Sequence, residues 1–115
     1  MDWTTTMRDI KRDLKDLRPT ITETHKAFAD LARSATKPGA LETKHKELIA
    51  VGIAISEQCA ECIGFHVQSA MIAGATREEI SETVGMAIYM GGGPALMYGA
   101  KALAAYDHFA AQKAA

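Results

Sequence analysis

The chain has 115 residues, a formal net charge of −1 and only two cysteines. This length predicts a single domain covering residues 1–115, and the near-zero net charge argues against nucleic acid as a partner. Residues 1–18 are rich in charges and lack the apolar centre of a secretory signal. The longest uncharged stretch, residues 83–100, is interrupted by glycines and a proline at 91–94, which argues against a transmembrane helix. We therefore expect a cytoplasmic protein that does not contact a membrane.

The composition favours helices, because Ala, Leu, Met, Glu and Lys are abundant and aromatic residues are few. No segment alternates apolar and polar residues as a half-buried strand would. We predict an all-α fold of about six helices. They cover residues 5–17, a second segment ending near residue 34, residues 42–56, residues 59–73, a fifth segment that follows Thr76 and stops at 91–93, and residues 94–110.

The apolar positions predict which helix faces are buried. On the second helix, Phe28 and Leu31 are expected to point inward. The third helix has no polar side chain between residues 48 and 55, which predicts that it is largely buried. The sixth helix is rich in Ala and Gly, and with Leu96 and Met97 it indicates a packing or subunit surface.

One short stretch, residues 57–66, concentrates the reactive side chains. It holds Cys59, Cys62 and His66, and their i, i+3, i+7 spacing places them on one stripe of a helix. If the third and fourth helices form an antiparallel hairpin that turns near residue 57, Glu47 lies at the level of His66. A carboxylate among apolar residues requires a partner, and His66 is the candidate.

The order Glu47, His66, Cys62 predicts a proton relay to a reactive thiol. The thiolate is the nucleophile, a neighbouring base takes its proton, and a carboxylate behind the base holds the imidazole in one orientation. Cys59 and Cys62 can form a disulfide, since α-carbons one helical turn apart lie roughly 5 Å from each other. Which thiol attacks first stays open at this point, because the helix N-terminus favours a thiolate at Cys59 and the base favours one at Cys62.

The pattern Glu47-x11-Cys59-x2-Cys62-x3-His66 resembles the alkylhydroperoxidase D-like branch of the carboxymuconolactone decarboxylase superfamily. The similarity covers about residues 41–108. It includes the segments 46–50, 74–80 and 91–95, and Tyr98.

This resemblance implies an all-helical, alkylhydroperoxidase D-like protein that assembles as a homo-oligomer, a trimer or a hexamer, with active sites near subunit contacts. It implies a peroxiredoxin-type oxidoreductase, an antioxidant enzyme that reduces hydroperoxides. Cys62 would attack, Cys59 would be the partner thiol, and Glu47 and His66 would form the relay. The reductant would be a lipoylated or thioredoxin-like dithiol protein, and no metal or organic cofactor is expected.

One position departs from the family pattern. Alkylhydroperoxidase D has a histidine immediately before its second cysteine, whereas this chain has Glu61. A carboxylate that points toward the thiol raises the pKa of that thiol. This difference predicts weaker activity on organic hydroperoxides if Glu61 faces inward.

Several alternatives compete with the peroxidase hypothesis. Glu47 could form an ordinary ion pair with Lys44 or Lys46, and Cys59, Cys62, His66 and Glu47 could together bind zinc. The cysteine pair could also serve a redox-sensing or scaffold protein that turns over slowly. A lyase of the carboxymuconolactone decarboxylase type is the weakest alternative, since the decarboxylase branch lacks this cysteine pair.

Overall fold

Six α-helices and one short 3₁₀ helix follow one another in the computed structural model, which describes residues 1–114. The predicted domain 1–115 includes Ala115, which lies outside the described residues. The helices are α1 (Trp3–Leu17), the 3₁₀ helix (Arg18–Thr20), α2 (Thr22–Thr36), α3 (Thr43–Ser56), α4 (Ala60–Ile72), α5 (Arg77–Gly91) and α6 (Gly93–Ala114). No strand occurs among the described residues, so the predicted all-α class is confirmed.

The core lies between the last four helices. α3 packs against α4 and α5, and α6 packs against α4 and α5 in turn. The largest side chains that are fully removed from solvent all belong to three of these helices: Val51, Ile55, Ile63, Val67 and Ile80. Each buried side chain of this size contributes about 1.5–3 kcal/mol of hydrophobic stabilisation. The α3–α4 hairpin that was predicted to hold the reactive residues is therefore anchored in the centre of the fold.

The first helix closes one side of this core. It begins two residues earlier than predicted, with Asp2 capping it by accepting a hydrogen bond from the backbone N–H of Thr4. Trp3 and Met7 are buried, and they pack over Gly64 of α4 where a β-carbon would collide with the sulfur of Met7. The predicted helix started at residue 5, so the sequence prediction did not include Trp3 among the buried residues.

The second helix does not bury its apolar residues, so the prediction for Phe28 and Leu31 is wrong. Both side chains are exposed, and α2 contains no buried residue. The reason is that α2 touches only α3 and the 3₁₀ helix to a significant extent. Its apolar side therefore faces a cleft and not a packed core.

The third helix is only partly buried, which corrects the prediction for residues 48–55. Val51 and Ile55 are fully buried, but Ile49 and Ile53 are 50% and 57% exposed. A helix that is apolar on all sides is expected to be covered on all sides. Here one side of α3 is left open.

The sixth helix uses its small residues for packing within the chain. Ala95, Gly99, Ala102 and Ala105 are buried, and Gly99 lies directly against Val84 of α5. The packing role predicted for these residues is confirmed, whereas Leu96 and Met97 remain exposed. Among the described residues, no helix combines the length and the apolarity that spanning a bilayer requires.

Gly99→Ala tests the close approach of α5 and α6. A β-carbon at Gly99 would lie 2.5 Å from Cγ1 of Val84, and the β-branched Val84 has little rotamer freedom with which to move away. We expect the free energy of unfolding to fall by about 1–3 kcal/mol. Gly85→Ala is the matched control, because it lies in α5 with no atom within 4 Å of the added carbon. Alanine has a higher helix propensity than glycine, so Gly85→Ala is expected to raise the free energy of unfolding by about 0.5–1 kcal/mol. Urea unfolding followed by circular dichroism measures both, and a similar change in the two variants would contradict the close contact.

Candidate active site

The turn between α3 and α4 is a compact helix cap that leads directly into the cysteine pair. The backbone N–H of Gln58 donates to the carbonyl of Ile55 at 3.1 Å, and that of Cys59 donates to the carbonyl of Ala54 at 3.2 Å. These two bonds define a Schellman motif. Gln58 occupies its left-handed position, with φ of 57°. The end of one helix thus fixes the position of the first cysteine.

Cys59 is the residue that caps the start of α4. Its Sγ accepts a hydrogen bond from the backbone N–H of Cys62 at 3.2 Å, and both cysteines are half-buried. The two residues form a disulfide with an S–S distance of 2.12 Å and α-carbons 5.2 Å apart. The predicted pairing is present, but Cys59 lies one residue before the helix and not within its first turn.

Glu47 and His66 meet across the hairpin, as their positions in the sequence predicted. Nδ1 of His66 lies 2.8 Å from Oε1 of Glu47. Glu47 is 7% exposed and is the one charged residue that is buried among residues 1–114. An ionised carboxylate can only accept a hydrogen bond, so Nδ1 carries the hydrogen in this pair. The second ring nitrogen, Nε2, is then available as the acceptor of a proton.

The alternative ion pairs for Glu47 do not form. Lys44 pairs with Glu79 of α5 at 3.0 Å, and the Nζ of Lys46 donates to the carbonyl of Lys37 at 2.5 Å. His66 is therefore the polar partner of Glu47 among the described residues.

The imidazole of His66 is connected to the two sulfurs less directly than it is to Glu47. His66 lies four residues after Cys62 on α4, so the two share a helix face. In the disulfide form, no hydrogen bond joins the imidazole to either sulfur within the described part of the chain. A disulfide sulfur carries no proton, and hence this state offers nothing for the base to abstract.

Two open clefts meet at Glu47. An apolar cleft of about 440 Å³ lies between α2 and α3, and His66 and Glu47 form part of its wall opposite Phe28 and Leu31. A polar cleft of about 520 Å³ lies on the other side, lined by Glu42, Thr43, Lys44, Glu47, Ser69, Ile72 and Ala73. Glu47 is the residue that both clefts share.

The structure brings the four predicted site residues together on one hairpin. Sequence reasoning did not find the left-handed Gln58, because nothing in its type predicts that conformation. It also placed Phe28 and Leu31 in the core, although they line the apolar cleft.

Glu61 lies half-buried in the first turn of α4, where a negative charge is favoured by the helix dipole. Within the described residues, no group of three or more His, Cys, Asp or Glu side chains is arranged to hold a metal ion.

Comparison with known proteins assigns the fold and the motif to one family. The profile of the carboxymuconolactone decarboxylase family matches residues 22–105. The chain belongs to this family. An uncharacterised protein of Cupriavidus necator is 39% identical over 106 residues, which cover 92% of this chain and 94% of that protein.

Solved structures of the carboxymuconolactone decarboxylase family share the same helical arrangement. A family member from Legionella pneumophila is 50% identical, has a TM-score of 0.90, and is matched over 93% of this chain and 96% of its own. A member from Thermotoga maritima is 25% identical with a TM-score of 0.82, over 94% and 92% of the two chains. The Thermotoga protein is described as "possibly involved in antioxidative response".

Gln58→Gly tests whether the left-handed turn before Cys59 is strained. A non-glycine residue in this conformation costs about 1–2 kcal/mol, and the greater conformational entropy that glycine loses on folding offsets part of this gain, so we expect the free energy of unfolding to rise by about 0.5–1 kcal/mol. Gly74→Ala is the reverse substitution at an equivalent position. Gly74 is the left-handed residue of the Schellman motif that ends α4, with φ of 100°. It should lower the free energy of unfolding by about 1 kcal/mol. Urea unfolding of all three proteins in the oxidised form measures the difference, and a loss of stability in Gln58→Gly would show that the side chain of Gln58 stabilises the turn.

Proposed function

We propose that the protein is a thiol-dependent peroxidase, a peroxiredoxin-type oxidoreductase that reduces hydroperoxides through Cys59 and Cys62. The observation that carries this proposal is a disulfide-bonded cysteine pair at the start of α4, one helical turn before a histidine that is paired with a buried carboxylate of the same hairpin. Family membership and the antioxidative description of the Thermotoga relative support it. The action is antioxidant, and the cell compartment that suits a cycling dithiol is the reducing cytoplasm.

The reaction begins from the dithiol form. His66 accepts the proton of Cys62, and the thiolate attacks the terminal oxygen of the hydroperoxide. The O–O bond breaks, the sulfur becomes a sulfenic acid, and the leaving alkoxide takes the proton to become an alcohol. The thiol of Cys59 then condenses with the sulfenic acid, which releases one water and forms the disulfide. This disulfide corresponds to the state described above.

Glu47 supports the base in this proposal. Its carboxylate holds the hydrogen on Nδ1 of His66 and thereby leaves Nε2 as the proton acceptor. It also stabilises the charged imidazolium that forms after proton transfer. Because Glu47 is buried, its interaction with the imidazole is weakly screened by solvent.

The cycle is completed by an external dithiol. A lipoylated or thioredoxin-like protein donates two electrons and two protons, and its own thiols become a disulfide. The proposed functional unit is a homo-oligomer, a trimer or a hexamer. No organic cofactor takes part in any of these steps.

A redox-sensing role is the second candidate. It requires only that Cys59 and Cys62 close to a disulfide, as they do here, and not that His66 activates a thiol. A sensor would keep its disulfide for a long time and change its assembly or partners on oxidation. The two candidates differ in the rate at which the reduced pair responds to peroxide.

The decisive experiment adds one equivalent of an organic hydroperoxide to the reduced protein and follows intact mass and free thiols over seconds to minutes. We expect rapid loss of two hydrogens and of both thiols. If both thiols persist and the mass stays unchanged, the peroxidase proposal is wrong, and activity that survives alkylation of both cysteines would indicate a lyase. Slow disulfide formation that changes the assembly would favour the sensor.

Single substitutions test the role of each residue in the proposed peroxidase reaction. Cys62→Ser should abolish turnover, and Cys59→Ser should stop at a sulfenic acid that dimedone traps. Glu47→Gln should lower the rate of thiol oxidation by roughly 10²-fold, at the lower end of what a positioned proton-transfer system contributes. The exposed Glu82→Gln on α5 is the matched control and should react as the wild type does. Wild-type rates in Cys62→Ser would contradict the assignment.

A further inference from the structure

The cleft between α1, α4 and α6 takes no part in the proposed reaction. It has a volume of about 350 Å³, which lies in the range of pockets that hold small molecules. None of the four site residues lines it. Its residue from α4, Gln68, lies two positions after His66, and helix residues two apart do not share a face. This cleft, which we call the α1 cleft, is therefore separate from the active site.

The floor of the α1 cleft is apolar and well packed. Trp3, Met7 and Phe109 belong to its lining and are no more than 5% exposed. The ring centroids of Trp3 and Phe109 lie 6.5 Å apart with an interplanar angle of 54°, which is a favourable distance for an aromatic pair. Trp3 and Met7 also rest against Gly64 of α4. The floor is thus built by α1 and α6, supported by α4, and held in a fixed position.

One end of the α1 cleft carries hydrogen-bonding groups. Oγ1 of Thr4 lies 3.2 Å from Nε2 of His108, and Nε2 of Gln112 donates to the same oxygen at 3.3 Å. His108 and Gln112 are one turn apart on α6, so they face α1 together. Beyond this bond, the amide of Gln112 has an acceptor oxygen and a second N–H. Donors and acceptors are therefore both present at this end.

The other end of the α1 cleft carries two cations. Thr4, Arg8 and Lys11 are spaced i, i+4, i+7 and lie on one face of α1. Lys11 has no carboxylate partner among residues 1–114. Arg8 pairs through Nε with Asp9 at 3.5 Å, but both side chains are exposed, and exposed pairs contribute little to stability. No Asp or Glu of the described residues lines the cleft, so positive charge is in excess along its wall.

We propose that the α1 cleft binds a small aromatic carboxylate that carries a neutral polar group at the opposite end of its ring. The carboxylate accepts hydrogen bonds from the guanidinium of Arg8, whose planar set of donors suits two carboxylate oxygens, and Lys11 adds a second positive charge. The ring lies on the apolar floor, and the polar group bonds beside Thr4. Thr4 and Arg8 are about 6 Å apart along the helix axis, which fits substituents at opposite positions of one benzene ring.

The three parts of the α1 cleft distinguish this ligand from simpler ones. Inorganic phosphate would pair with Arg8 and Lys11 but leave the apolar floor uncovered. A neutral aromatic compound would cover the floor without using the two cations. The inference does not depend on the proposed peroxidase function, because binding is measured on the disulfide form without peroxide. The two proposals can therefore fail independently.

Fluorescence of Trp3 provides the test, because Trp3 is the only tryptophan of the chain and forms part of the floor. The disulfide form of the wild type is titrated with 4-(hydroxymethyl)benzoate. We expect a saturable change in fluorescence with a Kd of about 1 mM or lower. The matching amide, 4-(hydroxymethyl)benzamide, and inorganic phosphate should each bind about tenfold more weakly or worse. The proposal is overturned if the benzoate gives no saturable change, or if either comparison compound binds as tightly as the benzoate.

Removal of charge from α1 tests the placement of the carboxylate. Arg8→Gln and Lys11→Gln should each raise the Kd of the benzoate by about tenfold, because each removes an interaction with its negative charge. Lys15→Gln is the matched control, since Lys15 is an exposed lysine of α1 outside the cleft lining, and it should bind as the wild type does. All three side chains are exposed, so the fold should persist, which circular dichroism verifies. Wild-type affinity in both Arg8→Gln and Lys11→Gln, or an equal loss in Lys15→Gln, would overturn the proposal.

A comparison with 4-methylbenzoate tests the polar end of the ligand. The wild type should bind 4-(hydroxymethyl)benzoate several-fold more tightly than 4-methylbenzoate, because only the hydroxyl group can bond beside Thr4. Thr4→Val keeps the branched shape and removes the hydroxyl group of the protein, so this preference should disappear while both compounds still bind. A preference that persists in Thr4→Val would contradict the proposed orientation.

Discussion

The hydrogen bond between Glu47 and His66 is the interaction on which the arrangement of the site depends. A carboxylate that is almost removed from water is strongly destabilising unless a polar group satisfies it. Here the satisfying group comes from the neighbouring helix. The bond therefore fixes the register of α3 against α4 while the fully buried Val51, Ile55, Ile63 and Val67 supply the hydrophobic stabilisation. A one-turn slip between the helices would leave Glu47 buried and unpaired.

The same hairpin controls where the sulfurs lie. The Schellman motif that ends α3 and the cap that begins α4 share Cys59, so the turn between the two helices is hydrogen-bonded up to the disulfide. The backbone, and not the side chains alone, thus holds Cys59 at the positive end of α4. Catalytic thiols are commonly found at such helix N-termini, because the dipole there stabilises a thiolate. Glu61, in the first turn of α4, adds a negative charge of its own.

The helices and the position of the reactive hairpin could be predicted because their signals are local. Thr76 and Glu79 form the capping box that their spacing predicts, and Gly74 ends α4 in the left-handed conformation that favours glycine. The pairing of Glu47 with His66 followed from counting residues on either side of one turn. The outward position of Phe28, Leu31, Ile49 and Ile53 could not be predicted, since periodicity indicates an apolar face but not whether the same chain covers it. Gln58 was missed because a left-handed glutamine has no compositional signal.

Glu47 borders two clefts with different linings. Its carboxylate contacts the imidazole at the wall of the apolar cleft, and the same residue borders the cleft lined by Lys44 and Ser69. A single side chain therefore forms part of the wall of both clefts. A change in the size or position of the Glu47 side chain reshapes the two clefts together and releases the histidine that it holds.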